Sequence, residues 1–400
     1  MTGMKNQNEQ NEQRDRNEQR DRDERPISMA SADLEDADTQ AVLEVLRSGR
    51  LALGPKIEAF ERQFAEYVGV EHAVAVSSGT AALHLIVRAL DLGPGDEVLV
   101  PSFTFAASVN ALLYERVTPI FVDIESDTFN LDPGDLERKV TSRSRAVMVV
   151  DVFGHPAAWD EIHETAARHD LQLIADSCEA LGAEYRGRKI GQLGNAAAFG
   201  FYPNKQMTTG EGGIIVTSDE EIARRARCWR NQGRPEMGAW LHHTDLGYNY
   251  RLDEMSAALG ISQLGRIETI LAKRDRVADL YHRRLQDIAC VRPPIVKPDV
   301  RMSWFVYAVT LAEDVDRKRV MQAMEDDGIP SRAYFQPLHL QPYIKERLEP
   351  SGTSLPVTEE MASRVLVLPF HNNLTEAEVE RVVASLVQAV GEQKATARVN

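Results

Sequence analysis

The sequence predicts an α/β fold: a large domain on a mostly parallel sheet, then a smaller C-terminal α+β domain. Two observations carry this. From residue 55 onward, apolar runs of strand length alternate with segments whose apolar residues repeat at helical spacing. That alternation implies a parallel sheet covered by helices. After Pro293-Pro294 the character changes to a strand flanked by helices.

The elements follow in order. Ile57, Phe60, Phe64 and Val68 repeat at helical spacing. Ala73–Val76 is a short strand, and Gly79 opens a helix through Leu90. Gly93-Pro94-Gly95 is a turn, and Glu97–Val100 is the next strand. A helix runs from about Phe105 to Tyr114, followed by the strand Pro119–Val122. Ala146–Val150 and Leu171–Ala175 are buried strands separated by a helix around Asp160–His169. Ala196–Phe201 and Gly213–Val216 add two strands, and a long helical stretch begins at Asp253 and runs to about Leu285. In the C-terminal part, Trp304–Leu311 reads as a strand, Arg317–Asp327 as a helix and Ala377–Val390 as a closing helix.

The first 25 residues differ from the rest. Asn11-Glu12-Gln13-Arg14-Asp15-Arg16 repeats as Asn17-Glu18-Gln19-Arg20-Asp21-Arg22. With almost no apolar residue, such a segment cannot offset its ordering entropy. The expected organisation is a disordered charged tail over 1–26, a large domain over 27–289 and a small domain over 290–400.

Bulk properties exclude several classes. A net charge of −15 argues against nucleic acid or an anionic membrane as partner. Cys178, Cys228 and Cys290 are too scattered for a disulfide framework or a metal site, so the cytoplasm is expected. No apolar run is long enough to span a bilayer, and no signal peptide is visible.

Lys205 lies between an apolar strand and the glycine-rich turn Gly210-Glu211-Gly212-Gly213. A lysine buried there would be shifted toward its neutral, nucleophilic form, able to join a carbonyl compound or pyridoxal phosphate. The same lysine could equally solvate a surface. Ser77-Ser78-Gly79-Thr80 sits between a strand and a helix. A helix N-terminus suits a phosphate, although Ser and Thr there also serve as ordinary caps. Phe105 follows a strand, where an aromatic can stack on a flat cofactor or simply fill the core. Asp176 directly follows the strand Leu171–Ala175. Ligands sit at such strand ends in open α/β sheets. A carboxylate there can hold a pyridinium nitrogen protonated, or merely cap a helix. Glu179 could reach a phenolic oxygen, a substrate hydroxyl, or only solvent.

The segments around Gly79, Phe105, Asp176, Lys205 and Asn249 together resemble the DegT/DnrJ/EryC1/StrS family of sugar aminotransferases, over roughly residues 27 to 392. The resemblance implies the fold type I of pyridoxal phosphate enzymes, like aspartate aminotransferase. It implies that Lys205 anchors the cofactor and that Asp176 pairs with its ring nitrogen. It implies that Phe105 stacks on the ring and that Gly79 and Thr80 hold the phosphate. Gly247-Tyr248-Asn249-Tyr250-Arg251 resembles a segment crossing a dimer interface, which puts Asn249 on the partner's cofactor phosphate. Arg251 becomes a candidate for the donor's carboxylate, and His339 and His371 for lining a substrate cleft.

Two positions depart from the family pattern. Gly200 stands where many members have a phosphate-binding serine, so that contact is either lost, taken by water, or supplied elsewhere, with Asn204 a candidate. Glu179 stands where many have His or Gln, which resembles the perosamine-synthase-like branch. A related dehydratase branch has histidine at the lysine position, so Lys205 favours amino transfer. The implied reaction moves an amino group from an amino acid, L-glutamate, to a keto-sugar on a nucleotide diphosphate. A cyclitol aminotransferase and a cofactor-binding accessory protein without turnover stay open beside it.

Overall fold

The structure, a computed structural model, describes residues 26–235, 241–348 and 354–397. The repeated charged segment expected to be disordered lies outside the described residues.

Helix α1 (Asp36–Ser48) leads into α2 (Pro55–Val68). Pro55 suits a first turn, where its missing N–H would be unpaired anyway. Ile57, Phe60, Phe64 and Val68 form the buried face that the spacing predicts. Gly69 ends α2 at φ 85°, a left-handed conformation that glycine adopts without a Cβ clash.

Strand β1 (His72–Val76), α3 (Gly79–Ala89), β2 (Glu97–Pro101), α4 (Ala106–Tyr114) and β3 (Thr118–Val122) follow. The alternation continues through α5 (Pro133–Lys139), β4 (Ser144–Val150), α6 (Trp159–His169) and β5 (Gln172–Asp176). Two short strands come next, β6 (Glu184–Tyr185) and β7 (Arg188–Lys189), then β8 (Ala196–Gly200), β9 (Gly213–Thr217) and α7 (Glu220–Arg230).

The mostly parallel sheet expected from the alternation is present, with strand order β1-β9-β8-β5-β4-β2-β3. Strand β9 runs antiparallel to both of its neighbours, while the β8-β5-β4-β2-β3 pairings are parallel. Strand β1 therefore points the same way as β8, and six strand C-termini share one edge. Side chains alternate between two cores. Val147, Val149, Leu173 and Ala175 pack with Phe60, Phe64 and Phe199 on one face. Ala146, Met148 and Ile174 pack with Leu83 and Ile86 of α3 on the other. Burial on both faces explains why these strands read as continuous apolar runs.

The stretch from Asp253 is two helices, α8 (Glu254–Gly265) and α9 (Ile267–Leu285). Arg266 leaves helical geometry between them at φ −123°. Its guanidinium donates to Asp38 at 2.9 Å and Glu35 at 3.3 Å.

The remaining elements are β10 (Val291–Arg292), β11 (Val300–Arg301), β12 (Tyr307–Leu311), α10 (Arg317–Asp326), α11 (Pro342–Arg347), α12 (Pro356–Arg364), β13 (Val365–Leu368) and α13 (Glu376–Ala397). A separate antiparallel sheet runs β10-β12-β13. Its core joins Tyr307, Leu366 and Val382 to Tyr281 and Leu285 of α9, and to Ile27 from the other end of the chain. Strand β12 starts at Tyr307, later than the expected Trp304. Ser303 and Phe305 instead donate their amides to the carbonyls of Gly154 and Phe153, at 2.9 and 3.3 Å. That detour ties the second sheet to the turn after β4. Among the described residues, no helix is long and apolar enough to cross a membrane.

Candidate active site

Asp176 ends β5, level with Val150 on β4 and Ala198 on β8. It is 6% exposed. The Ser108 hydroxyl donates to its Oδ2 at 2.6 Å, and the Cys178 amide donates to Oδ1 at 3.3 Å. Thr104 Oγ1 lies 3.0 Å from Ser108 Oγ. Ser108 has one hydroxyl proton, and the carboxylate takes it, so Thr104 is the donor between the two hydroxyls. The carboxylate is thereby fixed in orientation.

Lys205 sits in the turn after β8, its amide donating to the Tyr202 carbonyl at 2.9 Å. Its Nζ lies 3.5 Å from Glu179 Oε1 and 3.9 Å from the centre of the Phe305 ring. The other Glu179 oxygen, Oε2, accepts the Phe153 amide at 2.9 Å. Burial pushes the Glu179 carboxyl above its ordinary range; Lys205 and the Phe153 amide oppose that rise, and the Asp176 charge adds to it.

Gly79 and Thr80 form the first turn of α3, where backbone amides have no carbonyl one turn back. Ser78 is the cap, its hydroxyl accepting the Ala81 amide at 3.1 Å. A Cβ on Gly79 would lie 2.8 Å from Cys178 Sγ and 3.4 Å from Gly200 Cα. Only glycine permits that approach. Phe105 precedes α4 and leaves 64% of its surface exposed, while its neighbours Phe103 and Thr104 are buried. An apolar ring left open at a sheet edge is a platform for a flat ligand.

These groups converge. Cys178 joins Gly79 to Asp176, Ser108 joins Asp176 to Phe105 through its own amide, which donates to the Phe105 carbonyl at 3.3 Å, and Glu179 brings in Lys205. The set fits pyridoxal phosphate: an open aromatic face, a fixed carboxylate, a helix N-terminus and a half-buried amine. Asn204 adds a buried Oδ1 without a protein partner in the same turn as Lys205.

The other predicted residues lie as follows. Asn249 is exposed and bridges to Asn231. Its neighbours hold the segment to β1: Ser77 donates its amide to Tyr250 at 2.8 Å, and Arg251 bridges to Val76. Arg251 donates to Asn231 Oδ1 at 3.1 Å in a cleft of about 240 Å³ that also takes in Arg227, Arg230 and Arg234. Burial, with the Arg234 charge nearby, lowers the Arg251 pKa from its ordinary value. His339 is buried, its Nδ1 2.7 Å from Ser102 Oγ and its Nε2 3.3 Å from Glu359. His371 is buried 3.4 Å from Ser28 Oγ. Each imidazole thus bonds within the fold, and burial lowers the pKa of both. At Gly200 a Cβ would meet Cys178 Sγ at 3.5 Å, an ordinary contact, so the absence of serine there is not sterically imposed.

Two residues escaped the sequence reading. One is Ser108, a hydroxyl three residues past Phe105. The other is Asp151, which follows β4 as Asp176 ends β5. Its Oδ2 accepts the Ser177 hydroxyl at 2.8 Å, and its Oδ1 accepts Trp159 Nε1 and the Ala157 amide, each at 3.0 Å. Burial raises its pKa to about 6 against those donors, and the Asp176 charge adds to the rise. The signal for Asp151 was the shared pattern of an acid at a buried strand's end.

The chain is similar to several known proteins. A GDP-perosamine synthase of Caulobacter vibrioides is 40% identical over 372 residues, 91% of this chain and 98% of that one. The dTDP-3-amino-3,4,6-trideoxy-α-D-glucose transaminase of Streptomyces venezuelae is 38% identical over 89% of this chain and 93% of that one. The solved structure of the sugar aminotransferase homologue Spr1654 from Streptococcus pneumoniae in its PMP form superposes with a TM-score of 0.89. It is 26% identical over 94% of this chain and all of that one. The profile of the DegT/DnrJ/EryC1/StrS aminotransferase family matches residues 32–387, and on that match and the 40% identity this chain belongs to that family.

Proposed function

We propose that this protein is a pyridoxal phosphate-dependent aminotransferase that moves an amino group from L-glutamate to a keto-sugar carried on a nucleotide diphosphate. The observation that carries it is the convergence of the Lys205 amine, the Glu179 and Asp176 carboxylates and the open Phe105 ring at one sheet edge. When bound, the cofactor supplies a carbonyl that takes up the amine and a ring that delocalises negative charge.

This chain's residues do the rest. Lys205 Nζ would hold the cofactor, and the same amine is placed to move the proton at the donor's Cα. Glu179, 3.5 Å away, holds that amine in place. Asp176, fixed by Ser108, holds the proton on the ring nitrogen. The α3 amides at Gly79 and Thr80 receive the phosphate. Asn249 acts in trans in a homodimer, a reading supported by its exposure on a segment anchored through Tyr250. The Arg251 cleft takes an anionic group of donor or nucleotide. We divide the chain near residue 290, on the strength of the separate β10-β12-β13 sheet. The three unpaired cysteines suit a cytoplasmic setting.

The names of the relatives favour a nucleotide-linked acceptor over a cyclitol. Incubation with L-glutamate and nucleotide-linked keto-sugars, with scyllo-inosose alongside, tests this by mass. The keto precursors of GDP-perosamine and of the dTDP-linked amino sugar come first. Amination of the cyclitol alone would refute the proposal. A bound cofactor that no amino donor bleaches would instead mark an accessory protein.

A further inference from the structure

Arg274 lies on α9 and is 2% exposed. A buried guanidinium ordinarily pairs with an acid. Here the hydrogen bonds of the group go to main-chain carbonyls. Nη1 donates to Trp304 at 3.1 Å and Phe305 at 3.2 Å. Nη2 donates to Lys205 at 2.9 Å and Asn204 at 3.3 Å. Its Nε has no partner. Burial pulls its pKa down to about 10, with the Asp33 charge opposing, so the group still carries its charge at neutral pH.

The two pairs of carbonyls belong to different parts of the molecule. One pair is the peptide of Lys205 and of the residue before it. The other belongs to the segment between β11 and β12, which docks on the turn after β4. The same segment presents the Phe305 ring, 3.9 Å from Lys205 Nζ. The Phe305 amide donates to the Phe153 carbonyl, and the Phe153 amide donates to Glu179. Lys205 is therefore braced at both ends by one unit: its carbonyl by Arg274, its amine by Phe305 and Glu179. A planar fork can hold two strands of carbonyls at once, whereas an ammonium cannot match that geometry. A well-packed apolar side chain would avoid the desolvation cost of a buried charge, so stability alone does not account for arginine here.

We propose that Arg274 is a positioning residue for Lys205, fastening the lysine's main chain to the Phe305 segment so that its amine is held at one height against Glu179. The proposal rests on Lys205 being the reactive amine.

The test uses the purified full-length holoenzyme and its Arg274→Met and Arg274→Lys variants. The near-violet absorbance of the Lys205–cofactor linkage is titrated with pH, and borohydride treatment with peptide mapping locates the attached residue. The titration midpoint should move by about one pH unit in Arg274→Met, a tenfold change in proton affinity. Arg274→Lys, which keeps the charge and loses the fork, should move it part of the way. If Arg274→Met does not fold, Arg274→Lys decides the point alone. Midpoints matching the unaltered protein, with a lowered melting temperature only, would overturn the proposal and leave Arg274 a structural residue. A borohydride tag absent from Lys205 in the unaltered protein would instead remove the functional reading beneath it.

Discussion

The Lys205 amine and the Glu179 carboxylate face each other at 3.5 Å, with the second carboxylate oxygen held by the Phe153 amide. Glu179→Gln keeps the shape and the Phe153 contact but removes the charge beside the amine. The expected outcome is a fall in kcat of about tenfold or more, roughly 1.4 kcal/mol, with secondary structure and melting unchanged. Single-turnover absorbance with L-glutamate measures it. An unaltered rate would show that Glu179 faces the amine without acting on it.

Asp176 is fixed by Ser108 on one oxygen. Asp176→Asn should slow both half-reactions by orders of magnitude, and a change below about tenfold would argue against pairing with the ring nitrogen. Ser108→Ala should produce a smaller loss in the same direction, of about 1–3 kcal/mol, because it unties the carboxylate without removing it. Equal rates for Ser108→Ala and the parent would remove the hydroxyl from the account.

Asp151 gives the fold a pH signature. Its folded pKa, about 6, stands above its ordinary value of 3.8 because burial disfavours the charged form. The folded state therefore binds more protons than the unfolded state across that window. The associated stability is present below pH 4 and is lost as pH rises through 6, by up to about 3 kcal/mol. Denaturant midpoints of the parent should fall relative to those of Asp151→Asn between pH 4 and 6. Parallel curves would contradict a raised carboxyl there.

The packing at Gly79 and Gly200 predicts opposite results for two small substitutions. Gly79→Ala pushes a Cβ to 2.8 Å from Cys178 Sγ. It should weaken cofactor retention and cost about 1–3 kcal/mol of stability, with partial recovery when combined with Cys178→Ala. Gly200→Ser places its Cβ at an ordinary 3.5 Å. It should fold normally and slow cofactor release about tenfold, as one added hydrogen bond to a charged phosphate would. Fluorescence-monitored cofactor release distinguishes the two.

Asn249 is tested by complementation. Lys205→Ala and Asn249→Ala are each expected to be nearly inactive. Mixed and reassembled, they should form hybrids with one intact site, recovering up to about a quarter of the parent activity if subunits pair at random. No recovery on mixing would mean that the site does not cross subunits.

Much of the candidate site was legible because its parts are local. Strand ends followed by Gly79, Phe105, Asp176 and Lys205 can be read from apolar runs and turn residues alone, since a parallel sheet puts all those ends on one edge. The pairing partners were not legible. Ser108 meets Asp176 across 68 residues of chain, and Arg274 meets Lys205 across 69. No periodicity encodes such a distance. The break at Arg266 was hidden for the same reason: the residue reads as helical until its contacts with Asp38 and Glu35 are known.

The sequence by itself determined the α/β order, the motif at each strand end and the lysine proposed to carry the chemistry, because hydrophobic period and turn chemistry act within a few residues. Tertiary structure decided which carboxylate faces the amine, which hydroxyl fixes Asp176, and that a buried arginine binds the lysine's own peptide. Those outcomes depend on burial, where a polar group must take whatever partner the packed chain brings within about 3 Å.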